Sequence, residues 1–396
     1  MPQITDRCWV EVDLDKLRAN YRAIEGILRP GCQLMAVVKA NAYGVGMLPA
    51  ARAFADLGCR LFGVASFWEA HTLRKNGIEG TVLVLGPIDP AEVPAAAAEN
   101  ISVTVNSLET ARQYQAALRT GRLKVHVKVD TGMARLGFRA VEDEARAAEE
   151  ILALRQFPGL QIEGIFTHLC DAYNPDSRAY TDRQFARFLQ VVQKTQDGGM
   201  HYRFRHCASS AGALEYPQAQ LDMVRAGASL YGMFGGFREQ ITSSPVVSFR
   251  TRVLQVSTFP AGEFVGYNCA YRTARETKIA VAAVGNADGY YRHHSNDGWM
   301  LYKGVRVPVL GMVCMDMVML DVSAVENPQC GDVVTIIGED HGSHLSVMDV
   351  ARKIPNTLPH EVYNAIPVRV PRYYLDGGAP AYKLEYQAVC TPLSSK

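Results

Sequence analysis

Between residues 12 and 230, short β-branched runs alternate with stretches whose apolar residues recur at helical spacing. The strand-like runs are Gln33–Val38, Leu61–Ala65, Thr81–Leu85, Ile101–Val105, Leu123–Val129, Gln161–Thr167, Tyr202–Cys207 and Leu221–Val224. An opening helix fits "LDKLRANYRAIEGILR", Leu14 to Arg29, and further amphipathic segments are "MLPAARAFADLG", "LETARQYQAALR" and "DRQFARFLQVVQK". Strands that alternate with helices imply parallel βαβ units. Eight of them in about 220 residues predict a (β/α)8 barrel rather than an open doubly wound sheet. No GxGxxG follows the first strand, which argues against a dinucleotide-binding unit.

After Gly235 the texture changes. "VVSFRTRVLQVST", "KIAVAAVG", "VRVPVLGMVC", "MVMLDVS" and "DVVTIIG" follow without helices between them, apart from one short candidate, "SVMDVARKI". Gly, Pro, Asn and Asp punctuate these runs, which predicts a small all-β domain. The boundary falls in "YGMFGGFREQITSSP", giving a barrel over residues 11–240 and a β domain over 241–396. The tail "AVCTPLSSK" reads as frayed.

Composition bounds the partners. With 48% apolar residues, 20% charged residues and a net charge of +1, the chain is ordinary for a globular protein, and nothing in it calls for nucleic acid. Its nine cysteines are scattered, with no Cys-x-x-Cys and no zinc spacing, so neither a disulfide framework nor a metal site is expected. The N-terminus lacks a basic segment followed by an apolar core, and no apolar window approaches the roughly 20 residues of a membrane span. A soluble cytoplasmic protein is the expectation.

In a barrel, reactive groups gather where strands end. Lys39 ends strand 1, Arg135 follows strand 5, His168 follows strand 6, Ser209 and Ser210 follow strand 7, and Arg225 ends strand 8. Singly, each has an ordinary reading as a solvated lysine, a structural histidine, a loop salt bridge or a helix cap. Together they suit a phosphorylated aldehyde cofactor. A desolvated lysine has its pKa lowered enough to form a Schiff base, and Ser210 with the backbone of "AGAS" offers a phosphate site beside the last strands. Pyridoxal 5′-phosphate meets both requirements and acts as an electron sink.

The segments "AVVKANAYGVG", "KVDTGMARLGF", "EGIFTHL", "DMVRAGASLYG", "GYNCAY", "ADGYYR" and "GMVCMDM" closely resemble those of alanine racemases, in order and across nearly the whole chain. The resemblance implies a barrel bearing pyridoxal phosphate, followed by a β domain that residues 1–10 join, and a homodimer with shared active sites. It implies two-base racemisation of L- and D-alanine, with the D-enantiomer supplied to peptidoglycan. Lys39 resembles the cofactor lysine and one base, and Tyr267 the second base, arriving from the partner subunit. Arg225 resembles the arginine at the pyridine nitrogen, and His168 the histidine linking it to the tyrosine. Tyr43, Ser210, Gly227 and Ala228 match phosphate-binding positions. Arg135 matches a contact to the substrate carboxylate and cofactor phenolate; Met315, through its N–H, matches another carboxylate contact, with Asp316 beside it. Lys128 matches a position carbamylated in some members.

Two positions depart from the family pattern. His360 and Asn286 stand where tyrosines usually border the site, which raises the expectation that serine or larger amino acids are accepted beside alanine. A decarboxylase of the same architecture is the rival enzyme, but it resembles this layout with an acidic residue where this chain has Arg225. A non-catalytic carrier of the cofactor is the other rival, and it has no use for Tyr267.

Overall fold

The structure, a computed structural model, describes residues 4–233 and 243–384. The chain divides into two compact units, Met1–Lys16 with Ser244–Lys396, and Leu17–Ser243. Most of the proposed boundary segment (residues 234–242), the tail and Cys390 lie outside the described residues.

β1 (Cys8–Asp13) runs into α1 (Leu14–Glu25). That helix stops four residues short of the sequence expectation. Beyond Gly26, Ile27 and Leu28 donate to carbonyls three residues back, the tighter pattern of a fraying end. The second unit then adds β2 (Gln33–Val37), β3 (Leu61–Val64), β4 (Thr81–Val84), β5 (Ile101–Val105), β6 (Leu123–Asp130), β7 (Leu160–Phe166), β8 (Phe204–His206) and β9 (Met223–Ala226). They pair in parallel in the order β9-β2-β3-β4-β5-β6-β7-β8, and a bridge between Ser209 and Arg225 joins the two ends. This is the expected barrel. Strands such as β3 and β5 are buried along their whole length, because the barrel interior lies on one face and helices on the other. Met35, Leu61, Leu83, Phe204 and Met223 fill one end of the interior.

Three helices of this unit, Phe67–Lys75, Leu108–Ala117 and Glu144–Leu152, start where short polar side chains satisfy their first N–H groups. Ser66 accepts from Glu69 N–H, Ser107 from Thr110 N–H, and Asp143 from Ala145 and Arg146 N–H. Two strands begin a full pleat later than expected, β8 at Phe204 rather than Tyr202 and β9 at Met223. Leu221 adopts φ +47°, and the buried Gln220 side chain is tied to Arg29, Ile27 and Ala213, so extended backbone begins at Met223 rather than Leu221. Arg225 therefore lies inside β9 and not beyond it.

The first unit contains β10 (Val247–Phe259), β11 (Thr277–Ala282), β12 (Trp299–Tyr302), β13 (Val305–Leu310), β14 (Val318–Asp321), β15 (Val333–Asp340), β16 (Ser343–Leu345), β17 (Arg372–Asp376) and β18 (Ala379–Leu384). Antiparallel pairings run β10-β11-β14-β13-β12-β15 and return from β15 to β10, so six strands close a ring. Closure removes the exposed edges an open sheet would carry. β1 adds to β10 on the far side, with β17 and β18 beyond it. The expected short helix is Val347–Ala351; a second, Pro359–Ala365, and the strands β12, β16, β17 and β18 were not foreseen.

Candidate active site

Because all eight barrel strands are parallel, the residues after them share one rim. Lys39 comes two residues after β2, and the backbone there is unusual. Ala40, Asn41, Ala42 and Tyr43 all have φ between 51° and 57°, a turn of left-handed helix built without glycine. Such residues cost roughly 1–2 kcal/mol each, so the turn persists only because its surroundings fix it. Ala42 N–H donates to Val38 O at 2.8 Å and Gly44 N–H to Ala40 O at 3.0 Å. Asn41 Oδ1 accepts from Met47 N–H at 2.9 Å. Glu69 clamps the turn from outside, accepting from Ala40 N–H at 2.7 Å and Ala65 N–H at 2.8 Å. The turn throws Lys39 onto the rim, half-buried, and returns Tyr43 alongside it.

Lys39 sits among other cations. Burial lowers its pKa first, then Arg135 and Arg225, against the opposing pull of Glu69. Lys128, nearly fully buried with its Nζ 5.0 Å from the Phe166 ring centroid, is pushed down to about 7 by burial and by Arg225 and Arg135. His168 is held well below its ordinary value by burial and by the same arginines and lysines, so it is neutral. Arg135 is delivered by a loop knotted on Asp130, whose Oδ1 accepts from the N–H groups of Gly132, Met133 and Ala134 at 3.0–3.1 Å.

Arg225 is the centre of the set. Its guanidinium is buried; Nη2 shares its two hydrogens among Thr167 O at 2.9 Å, Cys207 O at 3.1 Å and His168 Nδ1 at 3.0 Å, and Nη1 donates to His206 Nδ1 at 2.9 Å. Burial lowers its pKa to about 10, which leaves it charged at neutral pH. An arginine has no acceptor, so His168 Nδ1 must be unprotonated and its proton must sit on Nε2.

At the end of β9, Tyr43 Oη lies against Gly227. A Cβ on Gly227 would come within 2.3 Å of that oxygen. Gly227 N–H donates to Ser210 Oγ at 2.9 Å, so Tyr43, Ser210 and the backbone of Gly227 and Ala228 converge. Burial pushes the Tyr43 hydroxyl up to about 12, keeping it a proton donor. A desolvated rim with four basic side chains and a cradle of hydroxyl groups fits an anionic, phosphorylated cofactor.

In the other unit, a two-residue ladder (Phe264–Val265 with Tyr271–Arg272) presents Tyr267, which is 66% exposed. Tyr267 borders a mainly apolar groove of about 540 Å³ lined by Phe264, Met315, Met317 and Met319. The Met315 loop is braced from behind. Ala287 N–H donates to Met315 O at 3.0 Å, and the Asn286 N–H and side-chain amide both donate to Cys314 O, at 3.0 and 2.9 Å. A Cβ on Gly285 would fall 2.3 Å from Met315 O. The Met315 N–H donates to no group among the described residues. Asp316 accepts from Arg369 at 2.7 Å, while Asp288, buried, accepts from Arg7 at 2.9 Å and Arg369 at 3.1 Å. Asn286 is thus a brace for this loop. His360 lies in the helix Pro359–Ala365.

Sequence reasoning did not single out Glu69, His126, Glu163, His206, Arg7, Asp288 or Arg369. His206 directly precedes the "CASS" segment and was the most accessible of them; the others carry no local signal. Among the described residues, no cluster of His, Cys, Asp and Glu could hold a metal ion, and no helix is long and apolar enough to cross a membrane.

The family model for the N-terminal domain of alanine racemase matches residues 12–234, and that for the C-terminal domain matches residues 246–374. The chain is 39% identical over 385 residues to the alanine racemase of Desulfosudis oleivorans, covering 95% of this chain and 98% of the relative. It is 37% identical over 372 residues to the alanine racemase of Methanococcus maripaludis, covering 93% and 98%. Among solved structures, an alanine racemase of Clostridium difficile 630 superimposes with a TM-score of 0.92 at 29% identity, covering 98% of this chain and all of that one. The alanine racemase of Bacillus anthracis with bound L-Ala-P gives 0.90 at 30% identity, covering 97% and 99%. These matches do not favour the serine-accepting or decarboxylase readings raised by the sequence; the Asn286 side-chain amide donates to Cys314 O.

Proposed function

The chain belongs to the alanine racemase family of isomerases, and on that premise we propose that it interconverts L- and D-alanine with two bases, Lys39 and Tyr267 of the partner subunit. The observation that carries the reading is the desolvated rim on which Lys39, Lys128, Arg135 and Arg225 surround His168 and depress one another or it. Such a site asks for anions, and a phosphorylated cofactor with an amino-acid carboxylate supplies them. When bound, pyridoxal 5′-phosphate provides an electron-withdrawing ring that acidifies the α-C–H of the amino acid.

The chain's own residues then divide the work. Tyr43, Ser210, Gly227 and Ala228 would hold the phosphate, and Lys39 the aldehyde end. Arg225 would face the pyridine nitrogen as a cation that donates hydrogen bonds without giving up its proton, which keeps electron withdrawal moderate and favours rapid reprotonation. Arg135 and the Met315 N–H would orient the substrate carboxylate, with Asp316 fixing the loop. Lys39, its pKa lowered, accepts or returns a proton at Nζ on one face. On the other face a tyrosine must ionise. His168 presents an Nε2–H that would hold the phenolate, since Arg225 occupies its Nδ1. The neutral Lys128 amine is the form that adds carbon dioxide, which supports its reading as a carbamylation position.

Exposed Tyr267, Phe264, Met315 and Met317 form a surface that a second copy would cover, and this supports a homodimer with shared sites. On the family resemblance we place the enzyme in the cytoplasm, supplying D-alanine for peptidoglycan. The test is Tyr267→Phe. It should keep the cofactor's absorbance and lose racemisation by ~10²–10⁴-fold, while one enantiomer alone still exchanges its α-hydrogen with solvent. Mixing Tyr267→Phe and Lys39→Ala subunits should restore about a quarter of normal activity, because half the dimers then carry one intact site of two. Normal turnover by Tyr267→Phe, or no restoration on mixing, would refute the assignment.

A further inference from the structure

Behind Arg225, a line of buried polar groups crosses the barrel interior. His206 on β8 accepts from Arg225 Nη1 at 2.9 Å, and its Nε2 lies 2.9 Å from His126 Nδ1 on β6. Among the described residues, His126 Nε2 has no partner at normal hydrogen-bond geometry, and it faces Glu163 Oε2 on β7 at 3.5 Å. Glu163 also accepts from Ser102 Oγ at 2.9 Å and from Arg203 Nη1 at 3.4 Å. Both imidazoles are fully buried and held by aromatic rings, Phe166 on His206 at 4.8 Å and Phe204 on His126 at 6.0 Å. The strand makes room for the line. Gly164 follows Glu163, and a Cβ there would lie 2.5 Å from His126 Nδ1.

Donor arithmetic leaves one proton arrangement. Arg225 can only donate, so His206 Nδ1 is bare and its proton is on Nε2. That proton points at His126 Nδ1, which must also be bare, placing the second proton on His126 Nε2. Among the described residues, its acidic neighbour is the Glu163 carboxylate. Burial keeps both histidines neutral, and the donors around Glu163 hold its carboxyl down at about 2. Each group's protonation is thereby fixed by the next, from Glu163 up to the rim.

We infer that His206, His126 and Glu163 are positioning residues that hold the Arg225 guanidinium in place from behind the rim through a single ordered chain of donors. The chain pins Nη1 and so fixes which edge of Arg225 remains for the cofactor ring and for His168. A hydrocarbon at position 206 would leave a buried N–H without an acceptor and let the guanidinium turn. The proton order stands on the barrel alone; only its effect on turnover rests on the racemase reading.

Nitrogen-15 spectra of histidine-labelled enzyme test the order directly, with His206→Asn and His126→Asn used to assign the signals. Both residues should appear as neutral Nε2–H tautomers, with or without cofactor, from about pH 6 to 9. A protonated His206, or one bearing its proton on Nδ1, overturns the inference whatever the enzyme turns over. In the holoenzyme, Glu163→Gln keeps an acceptor and should hold kcat within about 3-fold, with the same tautomers. Glu163→Leu should lose the single His126 tautomer, and His206→Phe should lower kcat ~10–100-fold with KM within about 3-fold. Unchanged kcat in His206→Phe would overturn the positioning role. If neither the wild type nor Glu163→Gln racemises alanine while the tautomers are as stated, the functional reading fails and the ordered chain stands.

Discussion

Replacing Asp288 by Asn isolates the charge that braces the Met315 loop. The wild-type carboxylate is 2% exposed and accepts from Arg7 Nη2 at 2.9 Å through both oxygens, from Arg369 Nε at 3.1 Å, and from Gly285 N–H at 3.0 Å. Asparagine keeps one acceptor oxygen and removes the charge facing two guanidinium groups. Breaking a fully buried pair by removing one partner costs ~3–5 kcal/mol. Here the arginines are 40% and 45% exposed and can recover water, so about 2 kcal/mol is the expected loss. For a unit of this size that lowers Tm by about 4–8 °C, read by calorimetry as the transition of the β unit. The kinetic effect follows from what the brace holds. Asp288 fixes the Gly285–Asp288 turn, and that turn fixes Met315 O through Ala287 N–H. If the Met315 N–H binds the carboxylate alike in ground and transition states, KM should rise ~3–10-fold with kcat nearly unchanged. Arg7→Gln should cost less in the Asp288→Asn background than alone. An unchanged Tm together with an unchanged KM would refute the brace.

Lys39, Arg135, His168 and Ser210 were legible because each follows a short buried strand, where a barrel gathers its chemistry. Tyr267 and Met315 carry no such local mark and could be named only through the resemblance. The line behind Arg225 was hidden for a different reason. "KVHVKVD" alternates polar residues with valines and reads as a strand with one wet face, yet His126 and Lys128 are buried because the inner face of a barrel is as dry as the outer one. Arg225 was displaced by a turn that Gln220 enforces through tertiary bonds, which no window of sequence displays. The left-handed turn after Lys39 lacks the glycines that ordinarily announce one, since Glu69 and Asn41 stabilise it from outside. In the β unit, "APAYKL" forms an exposed edge strand containing a proline, so it has no buried face to generate alternation. The ring closure by β15 depends on pairings between strands distant in sequence, and these leave no periodic trace.

Gly227→Ala should raise the cofactor dissociation constant ~10-fold, measured by absorbance titration, because its Cβ must displace the Tyr43 hydroxyl from 2.3 Å; an unchanged constant would remove that cradle from the phosphate site. Ala40→Gly should stabilise the protein by up to ~1 kcal/mol in urea, relieving one left-handed residue at φ 51°; a loss of stability would show that the turn is not strained. Lys128→Met gives a pH signature whose sign follows from burial. In the folded protein the Lys128 amine is pushed from 10.5 down to about 7, chiefly by desolvation and then by Arg225 and Arg135. Below pH 10.5 the unfolded chain takes up a proton that the folded one refuses until about pH 7, so the folded state loses ~1.4 kcal/mol per pH unit across that window. The penalty is complete at and below pH 7, where it approaches ~4–5 kcal/mol, and absent above about pH 10.5. Lys128→Met removes it. In carbon-dioxide-free buffer the variant should therefore gain several kcal/mol over the wild type at pH 7, and the gain should shrink steadily towards pH 10. A gain that is the same at pH 7 and pH 9.5 would mean that Lys128 keeps its proton in the fold, and that the cations around His168 are compensated by groups other than the ones described.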